Sequence, residues 1–228
     1  MSTLCRQLSG QAQPIKYASN PGPAQAHTKK KTEHATERES AAIQEQRRLH
    51  QEKMSEMEAS ACVFLDETGV NIALARHYAR SPQGERVHTS KPVNKGKNIT
   101  VLGALSLDGI IASMTVEGST DEQVFLTYVQ TILVPTLHAG QVVFMDNLSS
   151  HQVSGVKEAI ESVGARLEYL PPYSPDLSPI EKCWSKFKAI LRKKAARTRD
   201  VLDQAITEAL AMITPQDARG WFAHCGCL

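Results

Sequence analysis

The sequence lacks the cysteine patterns that stabilise small secreted domains or bind zinc. Its 228 residues include five cysteines, an odd number, scattered without a pair of C-x-x-C knuckles. Such spacing predicts neither a disulfide framework nor a zinc site. We therefore interpret all of them as free thiols: Cys5, Cys62, Cys183, Cys225 and Cys227.

Long apolar runs are also missing. No window approaches the roughly 18 continuous apolar residues that a membrane span requires. The first residues, MSTLCRQLSG, lack the charged-then-apolar order of a secretory signal. We expect a cytoplasmic protein with no membrane partner.

A strong charge of one sign is absent too. The formal net charge is only +2, so a polyanionic partner would have to be recognised by basic residues clustered on one face. With 41% hydrophobic and 22% charged residues, the composition is that of an ordinary globular protein. One main domain is expected.

Two amino-terminal segments differ from the rest of the chain. Residues 1–28 are rich in Gln, Ala, Ser, Pro and Gly without apolar periodicity, which predicts a disordered arm. Residues 29–58 combine strong helix formers and dense mixed charge with few apolar residues, which predicts a solvated, charged helical lead-in. The globular domain is expected over residues 59–228.

The globular part alternates strand and helix patterns, which predicts an α/β fold with a mixed central sheet flanked by helices. A buried strand, ACVFLDETG, is predicted to end at Asp66, and an antiparallel hairpin is predicted to turn at Asp108-Gly109. The remaining elements follow in this order: a helix over 119–137, a strand ending at Asp146, a helix over 153–163, the strand ARLEYL, and helices over 179–196 and 200–213.

The stretch LPPYSPDLSPIEKCW places several prolines just before Glu181. Proline fixes φ and restricts the residue before it, so this loop limits how the chain passes from the sheet to the next helix. Ser178 to Glu181 has the form of a capping box with proline at the first helical position. Glu181 should thus be held in the first helical turn and point toward the sheet edge. The stiffening prolines are these: Pro171, Pro172, Pro175 and Pro179.

Three acids are therefore expected to converge: Asp66, Asp146 and Glu181. Ligand sites of open α/β sheets gather at the carboxyl ends of strands. Carboxylates are the hard oxygen ligands that Mg²⁺ prefers, and two such ions roughly 3.5 to 4 Å apart can catalyse phosphodiester chemistry. Cleavage or transfer of nucleic-acid strands follows as the reaction class, although each acid taken alone could be a turn, strand-end or capping carboxylate.

Other residues compete for roles at this site. Asp176 and Glu67 are the nearest rivals as third or auxiliary ligands. Asp176 fits a turn role in the proline loop, and Glu67 should point to the opposite side from Asp66 if the strand continues. Asn147 and His151 are candidates for positioning substrate, but a turn asparagine and a helix-entry histidine are equally good interpretations.

Basic residues are dense after Glu181. A solvated helix face explains some of them, but a site that must receive a phosphodiester favours contact with the nucleic-acid backbone. The basic cluster consists of Lys182, Lys186, Lys188, Arg192, Lys193, Lys194, Arg197 and Arg199, of which Lys182, Lys186, Arg192 and Lys193 are the leading candidates for this contact. A second group is Lys91, Lys95 and Lys97. Trp184 and Phe187 lie on the apolar stripe of the helix and are interpreted as core.

The blocks FLDETG, FMDNLSSH and LPPYSPDLSPIEKCWSKFK, with 34 residues between Asp146 and Glu181, closely resemble the catalytic domain of mariner-like bacterial transposases, the insertion sequence 630 family. The likeness runs from about Lys29 to the end. It implies an RNase H-like fold and a catalytic, metal-binding DDE triad of Asp66, Asp146 and Glu181. Asn147 and His151 match the second block.

The resemblance also implies an activity and partners. The expected activity is metal-dependent hydrolysis and strand transfer at transposon ends, with two Mg²⁺ or Mn²⁺ ions. The expected partner is double-stranded DNA, both transposon ends and target, bound by a homodimer. The expected location is the bacterial cytoplasm, at the nucleoid when bound to DNA.

Only 65 residues precede Asp66, fewer than the amino-terminal helix-turn-helix region of this family requires. Two further hypotheses therefore stay open beside a complete enzyme. One is a truncated or frame-separated transposase that relies on a separate helix-turn-helix chain, which the short amino terminus favours. The other is a non-catalytic DNA-binding derivative, against which the intact acids argue.

Overall fold

The structure is a computed structural model that describes residues 35–76, 78–147 and 155–228. The predicted arm over residues 1–28 and the candidate His151 lie outside the described residues. Residues 34–228 form one compact unit.

The centre of this unit is a mixed five-stranded sheet, as predicted, with the spatial order β3-β2-β1-β4-β5. Strands β1, β2 and β3 are antiparallel neighbours, whereas β4 and β5 run parallel to β1. The strands are β1 Cys62–Val70, β2 Ile99–Ser106, β3 Gly109–Glu117, β4 Val142–Met145 and β5 Arg166–Tyr169.

The first strand is longer than its apolar run predicts. The apolar pattern predicts an end at Asp66, but β1 continues to Val70, and Val70 still pairs with Ile99 of β2. The polar residues of its second half are accommodated because the antiparallel ladder with β2 extends over them. The prediction that Asp66 stands at a strand end is therefore wrong, and Asp66 is anchored inside the sheet.

Helices cover both faces of the sheet. They are α1 Ala41–Ser55, α2 Glu122–Tyr128, α3 Val156–Glu161, α4 Pro179–Lys194, α5 Arg199–Ala211 and α6 Pro215–His224. One face, with Val63 and Leu65 of β1, packs against α2 and α3. The other face, with Cys62 and Phe64, packs against the remaining helices. In the described part of the chain, no helix is long and apolar enough to cross a membrane.

The last helix, α6, is not predicted by apolar periodicity. Its amino-terminal signal is nevertheless present in the sequence, because Thr214 and Asp217 form a capping box with Pro215 in the first turn. The hairpin also differs slightly from expectation: Ser106 pairs with Gly109, so the turn residues are Leu107 and Asp108.

Helix α1 forms inside the predicted charged lead-in but is less solvated than predicted. Met54 joins the hydrophobic core, and His50 is buried edge-on against the ring of Phe144 in β4. Arg47 is buried as well. The helix is therefore attached to the sheet, while the functional division of the chain at residue 58 stays a prediction.

Candidate active site

Strand register places Asp66 and Asp146 side by side. Strands β1 and β4 are parallel, and Cys62 pairs with Val142 and Phe64 with Phe144. This pairing ends at Phe64 and Phe144, and Asp66 and Asp146 each follow two residues later, close enough for the Asp146 charge to affect Asp66. Both side chains share the α4 face of the sheet, because side chains alternate between faces along a strand.

Glu181 approaches this pair from the first turn of α4. Pro179 occupies the start of the helix, where its missing N–H is no loss. Ser178 is buried at the cap position, but its side chain makes no capping hydrogen bond, and the backbone N–H of Glu181 instead reaches the Ser178 carbonyl at 3.2 Å. The predicted capping box is therefore wrong.

The three carboxylates line one cavity of about 440 Å³. Asn147 and the proline loop complete its wall; the loop residues are Leu170, Pro171, Pro172, Tyr173, Ser174, Pro175 and Ser178. Across the described residues, no three His, Cys, Asp or Glu side chains form a group already close enough to hold a metal ion. The acids therefore share a cleft without meeting at one point, an arrangement that their mutual repulsion favours.

The pKa shifts of Asp66 and Glu181 indicate that the acids of the cavity interact. Burial raises the pKa of Asp66 to about 7, and the charges of Glu181 and Asp146 add to this effect. Burial also raises the pKa of Glu181; the Lys188 cation opposes this shift and the Asp146 charge adds to it. Burial and the neighbouring carboxylates therefore both favour the protonated form of Asp66.

Trp184 of α4 orients Asp66. Its indole Nε1 donates a hydrogen bond to Asp66 Oδ2 at 3.0 Å. The ring reaches that far because Gly103 of β2 pairs with Asp66 and has no side chain; a Cβ there would stand 2.6 Å from the indole Cη2. The sequence pattern assigns Trp184 to the core alone, although a glycine inside a strand is a known signal of close approach.

The two rival acids lie elsewhere. Glu67 follows Asp66 in a strand that does continue, so its side chain lies on the opposite face, as predicted. Asp176 turns away from the acids and forms ion pairs with Arg38 and Arg47. Neither residue lines the cavity.

The predicted substrate-binding residues are spread over several surfaces. Asn147 is exposed and lines the cavity, and His151 lies outside the described residues. Lys182 lies near Cys225, just beyond α6. Lys186 forms an ion pair with Asp217 of α6.

The end of α4 is the more open basic surface. Arg192 and Lys193 line a second cavity, of about 530 Å³, together with Lys186, Arg76 and Tyr78. Lys188 lies seven residues after Glu181, two helical turns along the same face of α4. The density of basic residues in the sequence does not single out Lys188, because it does not show which helix face points to the cleft.

The sheet order and the shared cleft define an RNase H-like domain with three acids at one site. The chain belongs to the DDE superfamily endonucleases, because the sequence profile of that family matches residues 61–203, more than half of the chain. The matched region contains all three acids of the cleft. No curated protein sequence matches the chain significantly.

Solved structures of Mos1 transposase share the fold. A pre-cleavage Mos1 transpososome aligns with a TM-score of 0.74 at 14% identity, covering 90% of this chain and 65% of that one. The Mos1 mariner paired-end complex with Mn aligns with a TM-score of 0.69 at 15% identity, covering 90% and 64%. The isolated Mos1 catalytic domain aligns with a TM-score of 0.62 at 13% identity, covering 85% and 91%. This chain thus spans less than two thirds of the longer Mos1 chains, and the likeness at such low identity shows the fold.

The raised pKa of Asp66 predicts a pH dependence of stability. Its pKa of about 7 lies above the ordinary 3.8, so the folded state holds a proton that the unfolded state releases between these values, and stability falls as pH rises through this window. Without metal, the melting temperature should fall between about pH 4 and pH 7. Asp66→Asn should flatten this dependence, and equal slopes for the two proteins would contradict the assignment.

The contact between Gly103 and Trp184 predicts a specific steric effect. Gly103→Ala should displace the indole, break its hydrogen bond to Asp66 and destabilise the fold by roughly 1–3 kcal/mol. Gly69→Ala is the matched control, because Gly69 lies in β1 and a Cβ added there would meet nothing within 4 Å. Urea unfolding monitored by tryptophan fluorescence measures both, and equal stability of the two variants would show that the indole tolerates a methyl group.

Proposed function

We propose that this chain is the catalytic domain of a DNA transposase that hydrolyses phosphodiester bonds at transposon ends and transfers the resulting strand to target DNA. The observation that carries the proposal is the convergence of Asp66, Asp146 and Glu181 in one cleft. Membership of the DDE superfamily endonucleases supports hydrolysis of nucleic-acid strands as the chemistry. The finer resemblance to insertion sequence 630 transposases stays a prediction.

The donor set of the cleft fits divalent cations. All three acids offer hard oxygen ligands. Burial, together with the charges of Glu181 and Asp146, raises the pKa of Asp66, so a cation bound in the cleft would favour the ionised carboxylate. The Mos1 complexes with Mn and with Mg support Mn²⁺ or Mg²⁺ as the ion. We propose two such ions, held by Asp66, Asp146 and Glu181.

The bound ions would supply charge stabilisation at the phosphodiester and activation of the attacking hydroxyl. The residues of the chain have separate tasks. Asp66 must lose its proton to act as a ligand, so binding should release a proton near neutral pH. Trp184 fixes which oxygen of Asp66 faces the cleft by donating to Oδ2. The proline loop forms one side of the cavity.

DNA is the proposed partner. The Mos1 relatives include a paired-end complex with the left transposon end, which supports binding of transposon ends by a homodimer. Asn147 lies where it could contact the strand, and Arg192, Lys193 and Lys188 extend the basic surface away from Glu181 along α4. Lys182 is a weaker candidate, since it lies near Cys225. Lys186 shares the second cavity with Arg192 and Lys193, but its charge is already paired with Asp217.

Two finer points belong to the same proposal. A separate helix-turn-helix chain would supply recognition of transposon ends, and His151 would add a contact to the strand. We propose action at the bacterial nucleoid, where the DNA substrate lies.

Removal of any one acid should abolish catalysis while the fold survives. Asp66→Ala, Asp146→Ala and Glu181→Ala should each lose Mg²⁺- or Mn²⁺-dependent nicking of DNA, because each removes a ligand from the cleft. Nicking assays and melting curves on the same preparations separate chemistry from folding. Wild-type cleavage by a folded Glu181→Ala protein would refute the assignment.

DNA binding through phosphates should depend steeply on salt and weakly on duplex sequence. Lys188→Ala and Arg192→Ala should each reduce the slope of log affinity against log salt by about one, the value expected for one lost phosphate contact. Lys186→Ala is the control with the smaller expected effect, because Asp217 already neutralises that lysine. Fluorescence anisotropy at several salt concentrations measures the slopes, and salt-resistant binding to one sequence would contradict this mode.

A further inference from the structure

Helix α1 contacts both walls of the cleft from outside. Its carboxyl-terminal half packs on β4, where His50 lies edge-on to Phe144 with ring centroids 5.7 Å apart. Phe144 stands two residues before Asp146. Met54 anchors the same half of the helix in the core.

The other half of α1 holds the proline loop through a charge cluster. Arg47 donates two hydrogen bonds to the Asp176 carboxylate, Nη1 to Oδ1 at 3.1 Å and Nη2 to Oδ2 at 2.8 Å. Arg38, just before the helix, donates from Nη2 to Oδ2 at 3.0 Å. Bidentate arginine–carboxylate pairs fix geometry more strongly than single contacts.

The cluster is shielded from water on the arginine side. The Arg47 side chain is 8% exposed and that of Arg38 14%, against 39% for Asp176. Burial opposes ionisation of Asp176, but the hydrogen bonds from Arg47 and the charges of Arg47 and Arg38 hold the pKa of that carboxyl below its usual value. The pair is therefore a stronger restraint than an exposed surface ion pair.

The held turn leads directly to Glu181. Asp176 lies in the 3₁₀ turn Pro175–Leu177, which is followed by Ser178 and the start of α4. Just before it, Tyr173 has a φ of 54°. A non-glycine residue in this left-handed region needs support from its surroundings. The loop is thus strained at one end and restrained by α1 in its middle.

We propose that α1 is a brace that sets the separation of Asp146 and Glu181, and that Arg47 and Asp176 are positioning residues for the metal site. The inference rests on the proposed function, because it assigns the brace to a site that binds divalent cations. Repulsion tends to separate the acids. Contacts that hold the β4 side of the cleft near the α4 side therefore reduce the free energy needed to bring the acids together around cations. Arg38 and Arg47 lie before residue 61, outside the region that matches the family profile.

The first test needs no metal. Hydrogen exchange should accelerate in residues 171–178 of Arg47→Met and of Asp176→Asn, because both lose the same restraint. Arg48→Met is the matched control: Arg48 is the next residue of the helix, but it pairs only with Glu45 and Glu52 on the exposed side among the ion pairs of the described residues. Unchanged exchange in Arg47→Met and Asp176→Asn would overturn the brace.

The second test measures Mn²⁺ affinity by quenching of Trp184 fluorescence in a Trp221→Phe background. Affinity should fall about tenfold in Arg47→Met and in Asp176→Asn, as expected when a supporting contact of a ligand is lost. The double variant should be no worse than Asp176→Asn alone, because Asp176 is the shared partner of Arg47 and Arg38. Asp176→Glu, which keeps the charge, should recover part of the affinity.

The outcomes separate the brace from the proposed function. If wild-type protein does not bind Mn²⁺, or if Asp66→Asn binds it equally well, the metal site itself is wrong and the inference fails with it. If Asp66→Asn weakens binding but Arg47→Met lowers only the melting temperature and leaves Mn²⁺ affinity unchanged, the metal site stands and the brace is merely structural.

Discussion

Repulsion between acids that share one partly buried cleft is the constraint on which the rest of the structure depends. Asp66 cannot move away from Asp146, because β1 is paired with β2 throughout this region and with β4 just before it. Burial, and after it the charges of Glu181 and Asp146, raises the pKa of Asp66. A site of this kind contributes little to the stability of the fold by itself, but it is suited to binding cations.

Contacts from different sides of the cleft hold the acids in place against this repulsion. Trp184 supplies a hydrogen bond to Asp66 from inside the core, and Gly103 leaves the space that the indole needs. The proline loop and the Arg47–Asp176 pair hold the approach to Glu181 from the opposite side. Asp66 and Glu181 are thus restrained by different contacts, so their separation is set by the packing of α4, the sheet and the proline loop.

Local signals in the sequence are sufficient to predict the mixed sheet, most helices and the three acids of the cleft. The predicted end of β1 is wrong, because the apolar run stops at Asp66 while pairing with β2 continues to Val70. Pairing with a distant strand cannot be recognised from the residues of one strand alone. The predicted capping box at Ser178 is also wrong. A capping pattern shows which hydrogen bond a side chain is able to make, but in the folded protein the Glu181 side chain lines the cleft and does not cap the helix.

Contacts between distant segments could not be predicted at all. Arg47 and Asp176 are 129 residues apart, and the charge-rich helix that carries Arg47 is predicted to be solvated because most of its residues are. A few buried positions on that helix determine its attachment, since Met54 enters the core and Arg47 reaches the turn before α4. The acids alone therefore do not determine the geometry of the cleft. Segments outside the matched region supply contacts that hold its walls, and two domains with the same three acids could differ widely in metal affinity through those contacts.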